Sequence, residues 1–127
     1  MITLDASVVI AHLYPHDPHH AAATALLRDH ADEDLLIHSL NLAEVLVGGV
    51  RAGRGQELLA DLEAIGLRVA GTDAGEPMRL AGLRVETGLK MPDCCALDAA
   101  ATAGSALATF DDRLGAAARL RHIVVRP

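Results

Sequence analysis

Met1-Ile2-Thr3-Leu4-Asp5 decides the fold. Its apolar, β-branched run reads as a short strand that stops on an acid. Working outward, Ser7–Leu13 is dense and apolar and predicts a short helix. Tyr14-Pro15-His16-Asp17-Pro18 is a turn by its two prolines. His19–Ala31 then carries Ala22, Ala23, Leu26, Leu27 and His30 at helical spacing. Leu35–His38 predicts a second strand. Ser39 is the expected cap of a helix over Leu40–Ala52, with Leu42, Val45, Leu46 and Val50 inward. A helix over Gln56–Ile65, a strand at Leu67–Ala70 and a helix over Glu76–Thr87 capped by Asp73 follow. Pro92-Asp93 opens an Ala-rich helix to Ala103. Ala106–Thr109 is a fourth strand, Arg113–Leu120 a helix and Ile123–Val125 a last strand. Strands alternating with helices predict an α/β fold: a three-layer sandwich with a central, mainly parallel sheet of about five strands, in one domain over residues 1–127.

Composition narrows the function. Hydrophobic residues make up 51% of the 127, too many for a disordered tail. No apolar run approaches the roughly 18 residues of a bilayer span, so no membrane role is expected. The N-terminus has no basic segment and does not read as a signal peptide. Neighbouring Cys94 and Cys95 cannot form a useful staple, which suits a reducing compartment; cytoplasmic placement is the default expectation. Aromatics are 2% and the formal charge is −6, which argues against a general nucleic-acid-coating module built on basic and stacking side chains. A polyanionic substrate would need another means of offsetting charge, and bound divalent cations supply one.

In a parallel α/β sheet the carboxyl ends of strands and the amino ends of the returning helices share one edge, where ligands bind. Asp5 follows the first strand. Glu44 is in the second turn of the helix after the second strand. Asp93 opens the helix that leads back to the fourth strand, and Asp111 lies just past that strand's end. The topology therefore gathers Asp5, Glu44, Asp93 and Asp111 on one edge. Four carboxylates without matching cations repel one another, unless some are protonated or cations bind. Oxygen-only donors suit Mg²⁺ or Mn²⁺ rather than Zn²⁺, and such ions are the apparatus of phosphodiester hydrolysis. Taken singly, Asp93 and Glu44 read as ordinary helix acids; the joint placement makes the functional case.

Four stretches carry a family resemblance: Leu4-Asp5-Ala6-Ser7-Val8-Val9, Asn41-Leu42-Ala43-Glu44-Val45-Leu46, Met91-Pro92-Asp93 and Leu107-Ala108-Thr109-Phe110-Asp111. In order and spacing the set resembles the motifs of PIN-domain ribonucleases, and in size the chain is similar to the VapC toxins of bacterial toxin–antitoxin pairs. The resemblance implies a metal-dependent endoribonuclease with Asp5, Glu44, Asp93 and Asp111 holding Mg²⁺ or Mn²⁺. It implies supporting roles for Ser7 and Thr109, an RNA substrate, a cognate antitoxin and a homodimer. Two features depart from the family pattern. Cys94-Cys95 stands where an aliphatic residue is usual, and Asp112 competes with Asp111, which the Thr-x-Asp spacing favours.

Other features carry plainer readings. His16, His19 and His20 fit no zinc spacing and are expected as solvated turn residues; Asp98 is expected at the surface; Cys94 and Cys95 are expected to be buried. Arg51, Arg54, Arg79, Arg84 and Lys90 are candidate phosphate contacts. Two alternatives stand beside the nuclease reading: a non-catalytic module that holds a basic peptide in an acidic crevice, and a phosphoacceptor domain using Asp73 and Lys90.

Overall fold

The alternation of apolar runs and helical periods is realised as five strands and seven helices in the computed structural model, which describes residues 1–127. In chain order they are β1 (Ile2–Leu4), α1 (Ala6–Leu13), α2 (His20–Asp29), β2 (Leu35–Ile37), α3 (Ser39–Arg51), α4 (Gly55–Ala64), β3 (Leu67–Val69), α5 (Glu76–Thr87), α6 (Met91–Ala103), β4 (Ala106–Ala108), α7 (Asp112–Leu120) and β5 (Val125–Arg126). All strand pairs are parallel, in the order β3-β2-β1-β4-β5. Leu4 at the end of β1 lies between Ile37 and Ala108. The chain builds outward from β1 to β3, then crosses back to lay β4 on the other side of β1. That reversal opens a crevice beyond the carboxyl ends of β1 and β4.

The period-2 alternation of short strands sends neighbouring residues to opposite faces. Ile2, Leu4 and Ala108 pack with Val8, Val9, Leu26, Leu42, Val45 and Leu62 from α1 to α4. Leu107 packs on the other face with Leu97, Ala100, Leu114 and Ala118 from α6 and α7. With so few aromatics the core is aliphatic, and the fully buried Ala96 and Ala100 let α6 lie close to the sheet. Buried Thr3 keeps its hydroxyl satisfied by Ser105 Oγ at 2.7 Å. Left-handed Gly88 and Gly104 end α5 and α6, a conformation other residues adopt at a cost. No helix is long and apolar enough to cross a membrane.

Several local expectations are corrected. His38, not Ser39, caps α3: its Nδ1 accepts from Leu40 N–H at 3.0 Å. Gly75, not Asp73, precedes α5; Asp73 instead accepts from Gly75 N–H and binds Arg79. Val50 and Ala22 face solvent, because each lies on the outer side of its helix. The last strand starts at Val125 rather than Ile123, set by pairing with Leu107 and Ala108. Asp98 is buried and held by Arg79 Nε at 2.9 Å, so an ion pair replaces the expected surface position. Cys94 and Cys95 are buried, as expected.

The two-sided core predicts a sharp contrast. Leu107→Ala, at a fully buried site, is expected to cost about 2–5 kcal/mol in urea denaturation. Leu120→Ala, at a site 80% exposed, is expected to stay within about 0.5 kcal/mol.

Candidate active site

Asp5 is the foundation of the carboxyl edge. It is the N-cap of α1, and its Oδ1 accepts from Val8 N–H at 3.2 Å and from Ser7 Oγ–H at 2.6 Å. Thr109 Oγ–H donates to Oδ2 at 2.5 Å. The same two hydroxyls accept from the loop after β4: Ser7 Oγ from Phe110 N–H and Thr109 Oγ1 from Asp111 N–H. Their proton directions are thereby fixed toward Asp5. Oδ1 has both acceptor positions filled, and Oδ2 keeps one. Burial pushes the Asp5 carboxyl above its usual range, against the hydrogen bonds of Ser7, Thr109 and Val8 that pull it down.

The other three acids line a cleft of about 540 Å³ together with Leu89, Lys90, Pro92 and Arg113. Glu44 comes from the second turn of α3, Asp93 from the first turn of α6 and Asp111 from the N-cap of α7, where its Oδ1 accepts from Leu114 N–H at 2.9 Å. Asp93 is half-buried, whereas Glu44 and Asp111 are exposed. Burial, then the charges of Asp111, Asp5 and Glu44, raise the Asp93 carboxyl, with Lys90 pulling the other way. Partial burial and the charge of Asp5 raise Glu44. Asp93 thus feels the charge of the other three acids, and Glu44 that of Asp5. Volume alone does not single out this cleft, since one of about 460 Å³ opens at the opposite edge around Ser105 and His122, with only Glu33 as an acid. Asp112 is exposed and does not line the acidic cleft; Asp111 does.

Two contributors carried no role in the sequence reading. Asn41 is buried one helical turn before Glu44, and its Nδ2 donates to Pro92 O at 3.0 Å. It ties the helix of Glu44 to the helix of Asp93. A polar side chain in the first turn of an otherwise apolar helix is the sequence signal that marks it. Arg113, directly after Asp112, lines the cleft. Of the candidate phosphate contacts only Lys90 does so: Arg54 pairs with Glu57, Arg79 with Asp73 and Asp98, and Arg84 donates to the Gly88 and Leu89 carbonyls. Lys90 and Arg113 make no ion pair of their own at 4.0 Å or less.

An all-carboxylate donor set matches a hard divalent ion in chemistry. No three His, Cys, Asp or Glu side chains stand close enough to hold an ion among them as placed. Glu44 and Asp111 are the exposed members of the four, and Asp111 is further held as the N-cap of α7.

Residues 2–120 match the model of the PIN domain, and the chain belongs to that family. No curated protein matches the chain. Among solved structures, a chain of VapBC2 from Rickettsia felis, bound to a DNA fragment from their promoter, is 18% identical, with a TM-score of 0.68 over 99% of this chain and 98% of that one. PAE2754 from Pyrobaculum aerophilum is 22% identical, with a TM-score of 0.59 over 91% of this chain and 82% of that one. At these identities the likeness is one of fold.

The burial of Asp93, with the acids crowded around it, has a measurable consequence. A carboxyl whose folded pKa is raised binds its proton more tightly in the fold than in the unfolded chain. Stability then falls as pH climbs from the ordinary value of 3.8 through the raised one. Asp93→Asn removes that cost. Its melting temperature is expected to exceed the parent's at pH 7, with the gain vanishing below about pH 4 in thermal melts.

Proposed function

We propose that this chain is a divalent-metal-dependent endoribonuclease and the toxin of a type II toxin–antitoxin pair. The observation that carries the reading is the set of four carboxylates, Asp5 after β1, Glu44 on α3, Asp93 on α6 and Asp111 at the start of α7, at the reversal point of a PIN-family sheet, three of them lining one cleft. Asp5, Glu44 and Asp93 hold the ion, and Asp111 completes or orients its surroundings. Bound Mg²⁺ or Mn²⁺ supplies charge neutralisation and Lewis acidity at the phosphodiester. Ser7 and Thr109 keep Asp5 immobile, so that its one open oxygen position is always in the same place. Lys90 and Arg113 meet the RNA phosphates at the rim. Asp112 stands beside Asp111 and adds negative potential to that rim.

The likeness to a VapBC2 chain supports a cognate antitoxin, which would cover the acids with a basic side chain. A homodimer is supported by α5, which buries no residue and exposes Met78 by 80% and Val85 by 87%. With Gly82 these lie at i, i+4 and i+7 on one helical face. Light scattering at micromolar concentration is expected to show a dimer for the parent and a monomer for Val85→Glu; a monomeric parent counts against the dimer.

The test of the activity is cleavage of single-stranded RNA with Mg²⁺ or Mn²⁺. Asp5→Asn and Asp93→Asn are expected to lose on the order of 100-fold or more while remaining folded. If both cut RNA like the parent, the acids are misassigned. The scatter of the acids, no three of which now share a point, favours a second reading: a non-catalytic module that holds a basic peptide. Calorimetry separates the two. Uptake of Mn²⁺ with RNA cleavage supports the nuclease; binding of an Arg-rich peptide without metal uptake supports the module.

A further inference from the structure

Phe110 is one of two residues of the Phe, Trp and Tyr class in the chain, and it sits between Thr109, which binds Asp5, and Asp111, which lines the acidic cleft. Its backbone N–H donates to Ser7 Oγ, and its half-buried ring packs against the core. On that ring lies the imidazole of His19, with centroids 4.3 Å apart and planes within 7°. His19 is held from below as well: its backbone N–H donates to Asp17 Oδ1 at 2.8 Å, and its carbonyl accepts from Ala23 N–H. The backbones of both residues are therefore anchored, their rings lie one upon the other, and Phe110 is joined through Ser7 to the hydrogen bonds of Asp5. One face of the imidazole is covered by Phe110, and the residue as a whole is exposed. A cover for Phe110 alone needs only an aliphatic side chain; a parallel aromatic ring on an exposed residue does more.

We propose that the exposed face of His19, backed by Phe110, is a platform on which an unpaired nucleobase of the RNA stacks beside the cleft. This rests on the nuclease reading above and adds to it how substrate is gripped. The charge balance gives the platform its importance. The chain carries −6, and only Lys90 and Arg113 line the cleft as cations, so the phosphate attraction that usually dominates nucleic-acid affinity is weak here. Stacking supplies affinity without charge and accepts any base, since each presents a π face. Single-stranded RNA, whose bases are free to splay, is the form that fits.

The experiment is steady-state cleavage of a mixed-sequence single-stranded RNA by the full chain with Mn²⁺. His19→Ala is expected to raise KM about 5-fold or more, the scale of one lost base stack, with kcat within about twofold. His19→Phe is expected to restore KM, because it keeps the ring and discards the nitrogens. In an Asp93→Asn background, 2-aminopurine moved along the same RNA is expected to be quenched on binding at one position, and His19→Ala is expected to abolish that quenching. An unchanged KM in His19→Ala, or no rescue by His19→Phe, overturns the platform while leaving the nuclease standing. A parent inert toward RNA with either ion overturns the nuclease reading and the platform with it.

Discussion

The short hydrogen bond from Thr109 to Asp5 is the constraint on which the edge depends. It joins residues 104 apart in sequence and closes the gap between the ends of β1 and β4, where the strand order reverses. Ser7 completes the clamp from the other side, and both hydroxyls pull the loop after β4 onto Asp5 through the amides of Phe110 and Asp111. A carboxylate buried in this way is costly unless its oxygens are satisfied. Here three donors satisfy it, two from the first turn of α1 and one from just past the end of β4, so the energetic demand of one buried acid fixes the geometry of its surroundings.

Around that anchor the remaining acids are held at graded freedom. Asp93 is half-buried at a helix start, Asp111 is tied by one oxygen to its own helix, and Glu44 is exposed on α3. Asn41 sets the spacing between the helices of Glu44 and Asp93 by reaching the Pro92 carbonyl. The result is a site with a buried, hydrogen-bonded foundation and solvent-exposed upper members, and solvent exposure lowers the repulsion among like charges.

Much of this was legible in the sequence. The β1 run ending at Asp5 and the Thr-x-Asp after β4 each place a polar group at a strand end, and a parallel sheet sends both to one edge. That logic needs only element order, which apolar periodicity gives well. What failed were facts that depend on partners distant in sequence. Asp98 looked like a surface acid until Arg79, 19 residues earlier on another helix, was seen to hold it. Ser39 was the natural cap by residue type, but the imidazole of His38 was already in place one position earlier. The parallel rings of His19 and Phe110 lie 91 residues apart, and no local pattern announces them.

His38 has a wider consequence. Leu40 N–H donates to its Nδ1, so the ring proton must sit on Nε2, from which it reaches Glu76 at 2.7 Å. Neither nitrogen is left for ligation or proton transfer while α3 stays capped. The imidazole is a fastener between the starts of α3 and α5, not a reagent. Truncating it removes the acceptor of Leu40 N–H and the contact to Glu76 together, so one side chain carries both the cap of the helix that bears Glu44 and its tie to α5.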